Sequence, residues 1–338
     1  MLSKKKLSFF AIIIVMTTSL GINADKLVID TDAGADDAIS ILLVLSAYAN
    51  NDTDFDLVGI TCTYGNTYLT NVENNVLKIL TIANASKLIF FLKIPVYSGA
   101  HKPLINNYTS DNFFGEDGFG DFQFNEKITT EIDRSKHSAI ALIKLAKKYA
   151  GKISILVLGP TTNIALAISM DPKFVDNVKR FYVMGGSVGG IGNVRPGVEF
   201  NFGMDPASNF IFLNSTRGKI NLLLPWETVL SLNISMSWRR DELGSIDSKF
   251  IKFLNLAESK IKETPFYNPA DPLAAAVMLW PNLIKKSLVK NVTPIINGEA
   301  RGGLLTDYSD LTTKLKNVEI VQEVNVEEFK KMLIFYLS

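Results

Sequence analysis

The sequence predicts a single α/β domain: a mostly parallel central sheet flanked by helices, of the open Rossmann type. Short apolar runs with β propensity alternate with helical patterns along the chain after residue 25. The run at 153–158 is almost wholly apolar, which is typical of a central parallel strand. The composition, 47% hydrophobic and 20% charged, allows a large core, and no repeat or low-complexity linker divides the chain.

Each strand is predicted from a short apolar run that ends at turn residues. In chain order these runs are 27–29, 55–62, 94–97, 153–158, 180–184 and 222–224. Each helix is predicted from apolar residues at helical spacing. The predicted helices cover 38–45, 70–83, 135–149, 161–165, 248–262, 273–279 and 326–337. A loop rich in glycine and aromatic residues spans 102–127, and a polar loop of this length is usually functional or disordered.

The first 24 residues are predicted to be a signal peptide, leaving a catalytic domain at 25–338. Lysines occupy 4–6, the apolar segment 7–20 is too short for a comfortable membrane span, and Ala24 offers a small residue for cleavage. We expect secretion, with an uncleaved anchor as the alternative. Six sequons agree with a glycoprotein, at Asn51, Asn84, Asn107, Asn214, Asn233 and Asn291. The last two lie near apolar runs, where modification is disfavoured.

Charge and cysteine content narrow the function classes. The net charge of +1 gives no electrostatic footprint for nucleic acid. The single cysteine, Cys62, excludes an intramolecular disulfide. Because Cys62 lies in an apolar strand pattern, we expect a small buried residue rather than a nucleophile.

Four carboxylates crowd one strand-to-helix corner. Asp30, Asp32, Asp36 and Asp37 fall within eight residues, and Gly34 is expected to let the backbone turn there. Like charges this close raise each other's pKa, and a helix N-terminus offsets only about 0.3–1 kcal/mol per acid. Helix capping explains one or two of the four acids. A hard divalent cation, Ca²⁺ or Mg²⁺, would offset far more, so the corner predicts a metal site.

Later segments add polar groups at other predicted strand ends, where open parallel sheets bind ligands. Asn66 follows the second strand. Alternation predicts that Glu199 and Asn201 share one side of an extended segment at 198–202, which suits sugar hydroxyls; a loop salt bridge is the other interpretation of Glu199. Asp271 precedes the apolar helix at 273–279 and is predicted to be its N-cap.

The sequence Asp-Thr-Asp-Ala-Gly-Ala-Asp-Asp-Ala at 30–38 resembles the N-terminal signature of the inosine–uridine-preferring nucleoside hydrolases. Gly-Pro-Thr-Thr-Asn at 159–163 resembles a second element of that family. The resemblance implies Ca²⁺ held by Asp32, Asp37, the Leu158 backbone carbonyl and Asp271. It implies ribose contacts from Asp36, Asn66, Asn193, Glu199 and Asn201, with Asp30 and Asn66 orienting the metal ligands. It also implies a homo-oligomer, a dimer or tetramer.

The chain departs from part of that family at Ala270. Many members carry His immediately before the last metal-binding aspartate, as general acid on the leaving base. A purine-preferring branch stacks the base between aromatic residues instead, which favours purine substrates here. The candidate nucleobase contacts are Phe114, Trp226, Phe266 and Tyr267. For Phe114, which replaces a His of some members, stacking on the base and packing in a small core remain open alternatives.

The resemblance therefore predicts a secreted, calcium-dependent hydrolase that cleaves the N-glycosidic bond of ribonucleosides, with purine nucleosides such as inosine preferred. Asp32 is the predicted general base that activates a water held by the metal. A secreted nucleoside-binding protein without turnover is the alternative. A Mg²⁺ phosphatase with an aspartyl nucleophile shares Asp-x-Asp after the first strand, but no matching lysine and acidic motifs follow at later strand ends.

Overall fold

The computed structural model describes residues 24–85, 94–262 and 264–338. The fold is built on a nine-stranded sheet. Two small antiparallel ribbons are formed by Ile234–Ser235 with Phe266–Tyr267 and by Val292–Pro294 with Leu304–Thr306. The strands are β1 Asp25–Thr31, β2 Phe55–Cys62, β3 Val96–Tyr97, β4 Ile132–Asp133, β5 Ile153–Val157, β6 Val178–Met184, β7 Asn221–Leu224, β8 Ile234–Ser235, β9 Phe266–Tyr267, β10 Ile284–Lys290, β11 Val292–Pro294, β12 Leu304–Thr306 and β13 Val318–Val324.

The strand order of the large sheet is β10-β13-β7-β6-β5-β1-β2-β3-β4, and every neighbouring pair is parallel except β10 with β13. The chain moves outward from β1 to β4 and then returns to place β5 on the other side of β1. The gap between the carboxyl ends of β1 and β5 is therefore a topological switch point, where open α/β sheets bind ligands.

Helices cover both faces of the sheet. They are Ala35–Ala49, Leu69–Ala85, Ser138–Lys148, Thr162–Met170, Phe174–Asn177, Phe200–Met204, Pro206–Ser215, Trp226–Leu230, Lys249–Ala257, Ala270–Leu279 and Val326–Leu337, with a π-helical turn Trp238–Leu243 and a 3₁₀ turn Pro281–Leu283. Side chains of β1 point alternately to the two faces of the sheet. Leu27 and Ile29 pack in one hydrophobic core, and Val28 packs in the other. The helix Ala35–Ala49 is buried almost throughout, and it packs on Ala270–Leu279.

Most predicted elements are confirmed, and the α/β sheet is as expected. The strand at 55–62 and the helix at 326–337 have the predicted limits. The helix predicted at 135–149 begins only at Ser138, since His137 is its N-cap and accepts a hydrogen bond from the Ala139 amide. The helix predicted at 248–262 ends at Ala257, and the strand predicted at 94–97 is only Val96–Tyr97.

The extended segment predicted at 198–202 is wrong. Phe200–Met204 is a helix, and the Glu199 carboxylate caps it by accepting hydrogen bonds from the amides of Asn201 and Phe202. Side-chain capping offers the backbone an alternative to the alternating pattern of a strand.

Other expectations concern exposure and the N-terminus. Cys62 is fully buried, as predicted. The sequon residue Asn291 is 5% exposed, as its apolar neighbours suggested. Asn233 is exposed, although it too lies near an apolar run. No helix in the described ranges is long and apolar enough to cross a membrane. The predicted signal peptide lies outside the described residues, apart from Ala24.

Candidate active site

A cavity of about 290 Å³ opens at the carboxyl edge of the sheet. Acidic and amide side chains line part of its wall, and aromatic side chains line another part. The lining residues are Asp36, Asn66, Asp111, Phe113, Phe114, Leu158, Met184, Asn193, Val194, Glu199, Phe200, Asn201, Trp226, Met236, Glu258, Ile261, Thr264, Phe266, Tyr267, Asn268, Ala270 and Asp271. The cavity is thus lined by all of the predicted ribose and nucleobase contacts, while Asp30, Asp32 and Asp37 lie outside its lining.

Three acids form the tightest carboxylate group in the described residues. One oxygen each of Asp36, Asp37 and Asp271 lies within 4.8 Å of the other two. Burial, followed by the charge of Asp36, raises the pKa of Asp271 well above the ordinary carboxyl value. The group brings together residues that are more than 230 positions apart in the chain. It includes Asp36, for which the resemblance implied a ribose contact.

Asp271 reaches this group from the first turn of the helix Ala270–Leu279, and not from its N-cap as predicted. Pro269 occupies the cap position, so the Asp271 side chain is free to turn toward Asp37. Asp271 is 3% exposed and lines the cavity.

Asp32 is fully buried beside this group. Its Oδ2 accepts a hydrogen bond from the backbone amide of Asn66 at 2.8 Å, whereas no donor in the described part of the chain reaches Oδ1. Two glycines make room for the carboxylate: a Cβ on Gly65 would lie 1.9 Å from Oδ2, and one on Gly159 would lie 2.8 Å from Oδ1. Burial and then the charge of Asp37 raise the pKa of Asp32 well above its usual range.

The donor set suits a hard divalent cation. A buried carboxylate oxygen without a donor, as in Asp32 and Asp36, costs free energy unless a positive charge or a proton satisfies it. The ligands are oxygen atoms only, and oxygen ligands are typical of Ca²⁺ and Mg²⁺. The predicted metal site is therefore chemically consistent with the residues that the fold brings together.

Asp30 supports this corner from the side of the sheet. Its Oδ1 accepts hydrogen bonds from Thr61 Oγ1 at 2.5 Å and Asn163 Nδ2 at 2.8 Å, and Oδ2 has no donor among the described residues. Burial raises its pKa to about 7, against the two hydrogen bonds that lower it. Asn163 also donates to the Cys62 carbonyl, so it ties β1, β2 and the segment after β5 together.

The backbone turn at the corner occurs one residue earlier than predicted. Ala33 has a φ of +27°, which is strained for a residue with a side chain, whereas Gly34 has an ordinary φ of −77°. Gly34 is needed for space instead, because a Cβ there would lie 2.5 Å from Asn66 Nδ2. The side-chain amide of Asn66 donates to the Asp37 carboxylate at 3.2 Å, and the Thr31 hydroxyl donates to the same carboxylate. Asn66 thus orients both Asp32 and Asp37.

The predicted ribose contacts Glu199 and Asn201 are held by the backbone. Glu199 accepts from the Gly186, Asn201 and Phe202 amides at 2.7–3.1 Å, and burial raises its pKa to about 7. This cap replaces the loop salt bridge that was the other interpretation. Asn201 Nδ2 donates to the Leu158 carbonyl at 2.6 Å, the oxygen that the resemblance assigns to the metal.

Asn193 lies on an exposed glycine-rich loop that Glu227 anchors. The Glu227 carboxylate accepts hydrogen bonds from Ser187 Oγ and from the amides of residues 188, 189 and 191. Its neighbour Trp226 donates its amide proton to the Gly186 carbonyl. The end of β7 therefore fixes the loop that presents Asn193 to the cavity.

All four predicted nucleobase residues line the cavity, but their exposure differs. Phe266 is 47% exposed, whereas Tyr267 is 5% and Phe114 is 6% exposed. Phe114 packs in a hydrophobic core and also lines the cavity, so packing in a core does not remove it from the place where a base could stack. The adjacent Phe113 is 51% exposed and meets Phe114 edge to face at 4.8 Å.

Sequence reasoning missed several lining residues. Asp111 and Phe113 lie in the glycine- and aromatic-rich loop that was singled out, so the loop itself was the available signal. Glu258 follows the helix Lys249–Ala257 and had no signal, since it was one of many charges on that segment.

The chain is similar to known proteins along most of its length. The family model "Inosine-uridine preferring nucleoside hydrolase" matches residues 27–331. A protein named "Probable uridine nucleosidase 2" from Arabidopsis thaliana is 32% identical over 264 residues, 74% of this chain and 77% of its own. The Leishmania major "Inosine-uridine preferring nucleoside hydrolase" is 26% identical over 315 residues, 91% of this chain and 96% of its own.

Solved structures show the same fold. The plant nucleoside hydrolase PpNRh1 superposes with a TM-score of 0.80 at 25% identity, covering 93% of this chain and 98% of its own. An inosine-guanosine nucleoside hydrolase, at 24% identity and a TM-score of 0.81, covers 92% and 98%. Because the family model spans nearly all of the described residues, and the switch-point acids lie within it, the chain belongs to the inosine-uridine preferring nucleoside hydrolase family.

Proposed function

We propose that the protein is a calcium-dependent hydrolase that cleaves the N-glycosidic bond of purine ribonucleosides such as inosine, giving free base and ribose. The observation that carries the proposal is the carboxylate group of half-buried Asp36 with buried Asp37 and Asp271 at the switch point of the sheet, with Asp32 beside it. Binding alone would not require a buried carboxylate with an unpaired oxygen next to three others.

Asp32, Asp37, Asp271 and the Leu158 carbonyl are the groups we assign to Ca²⁺. When bound, the ion orients a water molecule, lowers its pKa, and relieves the repulsion among the acids. Asp32 is the proposed general base: its Oδ2 is fixed by the Asn66 amide, which leaves Oδ1 to take the proton of the attacking water.

We assign the binding of the ribose hydroxyls to five residues that all line the cavity: Asp36, Asn66, Asn193, Glu199 and Asn201. Hydrogen bonds of this kind hold the sugar while positive charge develops at its anomeric carbon, as in glycoside hydrolysis. Asn201 has its amide nitrogen on backbone carbonyls, so its side-chain oxygen is the group left for the sugar.

The purine preference is supported by the aromatic wall and by Ala270, which has no proton to donate. Phe114, Trp226, Phe266 and Tyr267 offer flat apolar surface, and a purine has a larger face to stack than a pyrimidine. Because a relative at 32% identity is named as a uridine nucleosidase, uridine is the contrast substrate.

The test is ribose release from inosine, guanosine, adenosine, uridine and cytidine, measured with Ca²⁺ and with a chelator. We expect release from the purine nucleosides and loss of release with chelator. Faster release from uridine than from inosine would contradict the purine preference. No release from any nucleoside would contradict the activity and favour a nucleoside-binding protein.

We also propose that the protein is secreted after cleavage following Ala24 and assembles as a dimer or tetramer. The basic and apolar pattern of residues 4–20 and the exposed sequon residues Asn51 and Asn107 support secretion. N-terminal sequencing and light scattering of protein expressed in a secretory host should give Asp25 as the first residue and a mass of at least two chains. An intact N-terminus or a monomer would contradict these two points.

A further inference from the structure

A buried charged cluster lies at the wall of the active-site cavity, and apart from the aromatic face of Tyr267 it has no role in the function above. It consists of Arg239, Glu258 and Tyr267, which we call the Arg–Glu–Tyr cluster. Arg239 forms an ion pair with Glu258, with side-chain exposures of 4% and 10%. The Tyr267 hydroxyl lies 3.4 Å from Glu258 Oε1, and the Arg239 guanidinium carbon lies 5.8 Å from the Tyr267 ring centroid.

The Arg–Glu–Tyr cluster is assembled from three separate segments. Arg239 belongs to the π-helical turn Trp238–Leu243, Glu258 follows the helix Lys249–Ala257, and Tyr267 belongs to β9. A buried ion pair is often no more stable than an apolar replacement, because both charges must leave water. Stability alone therefore gives little reason for this cluster.

Two of its members face the site where the leaving base would lie. Glu258 and Tyr267 both line the cavity, as does Ala270, which comes three residues after Tyr267. Both also lie close enough to Asp36 to interact with its charge. Burial raises the pKa of the Glu258 carboxyl, and the Arg239 charge opposes that rise. The Tyr267 hydroxyl, whose pKa burial raises further, carries its proton throughout the neutral range.

The geometry leaves that proton available. Hydroxyl hydrogen bonds are usually about 2.7–2.8 Å long, so the separation of 3.4 Å from Glu258 is a loose contact. Among the lining donors other than carboxyls, the Asn amides and the Trp226 indole do not release protons near neutral pH, and Thr264 Oγ1 donates to the Phe266 carbonyl at 2.8 Å.

We propose that Tyr267 donates its hydroxyl proton to the leaving nucleobase, with Glu258 and Arg239 as positioning residues. The inference rests on the proposed function. The C1′–N bond breaks and its electron pair goes to the base; the water oxygen bonds to C1′, and the water proton goes to Asp32. The hydroxyl proton goes to a ring nitrogen of the base, and the resulting phenolate, next to the Arg239 charge, regains a proton from solvent as Asp32 releases one.

The test compares Tyr267→Phe with wild type on inosine and on p-nitrophenyl β-D-ribofuranoside. The nitrophenolate leaves without being protonated, whereas the purine needs a proton. We expect kcat to fall about 100-fold on inosine and less than about threefold on the nitrophenyl riboside, since general acid catalysis contributes 10²–10⁴-fold. Tyr336→Phe is the matched control, because Tyr336 is 9% exposed, donates to Asp52 at 3.0 Å and lies outside the cavity lining.

Equal losses on the two substrates would show a structural role and overturn the inference, as would full activity of Tyr267→Phe on inosine. A wild-type protein that cleaves neither substrate would overturn the proposed function, and the inference with it. Wild-type activity with equal losses overturns the inference alone.

The positioning role of Glu258 has a separate readout. The charges facing Tyr267 are Glu258, which raises the pKa of its hydroxyl, Arg239, which lowers it, and Asp36, which raises it. Glu258→Gln should therefore move the basic limb of the kcat–pH profile on inosine to lower pH. A basic limb that stays in place while kcat falls would contradict this role.

Discussion

Asp30 gives a prediction about stability that does not depend on catalysis. Its carboxyl is fully buried, accepts two hydrogen bonds at Oδ1, and has no donor at Oδ2 among the described residues. Burial raises its pKa from 3.8 to about 7, so the folded protein keeps the proton that the unfolded chain has already lost. Stability from this group is therefore fully present below about pH 4 and is lost as the pH rises toward 7.

Each pKa unit corresponds to about 1.36 kcal/mol, so Asp30 should remove about 2 kcal/mol from the free energy of unfolding between about pH 5 and pH 7. Asp30→Asn keeps an oxygen that accepts from Thr61 and Asn163 but cannot ionise. Between these two pH values the free energy of unfolding of Asp30→Asn should therefore fall by less than that of wild type. The measurement is urea denaturation of both proteins in the presence of chelator. Asp241→Asn is the control, because Asp241 is exposed.

The same pH slope for Asp30→Asn and wild type would refute the reasoning. It would mean that Asp30 is already ionised in the folded protein at about pH 5 and that Thr61 and Asn163 outweigh its desolvation.

Three further predictions follow from the site. Ca²⁺ at about 100 times its Kd should raise the free energy of unfolding by about 2.7 kcal/mol and Tm by roughly 4 °C relative to chelator; an unchanged Tm in a thermal melt would contradict a metal site. Gly65→Ala should lower kcat on inosine at least about 100-fold, because its Cβ would lie 1.9 Å from Asp32 Oδ2 and must displace the base; wild-type kinetics would contradict that placement. Glu227→Ala should raise KM for inosine about tenfold with a smaller change in kcat, because the loop carrying Asn193 loses its four hydrogen bonds; an unchanged KM would separate the loop from ribose binding.

The alternation of strands and helices was readable from sequence because each buried strand is a short apolar run with its own turn residues. The acidic signature at 30–38 likewise predicted that acidic side chains gather at the carboxyl end of β1, where the candidate site lies. These features are local, so one stretch of chain carries the whole signal.

Other features depend on contacts between distant segments and could not be predicted. A glycine is needed at position 34 because Asn66, which follows another strand, fills the space that a Cβ would occupy. Glu199 caps a short helix because amides from Gly186 and its own segment converge on it. The pairing of Arg239 with Glu258 joins two unremarkable charges that only the fold brings together.

The central claim is that Asp32 is the base of a nucleoside hydrolase, and Asp32→Asn tests it most directly. Inosine hydrolysis and inosine binding should be measured on the same preparations of wild type and variant, with Ca²⁺ present. We expect the variant to bind inosine with at most a modest loss and its kcat to fall by about 10²–10⁴-fold, the range for a general base. Hydrolysis at the wild-type rate by Asp32→Asn would contradict the assignment of Asp32 as the base.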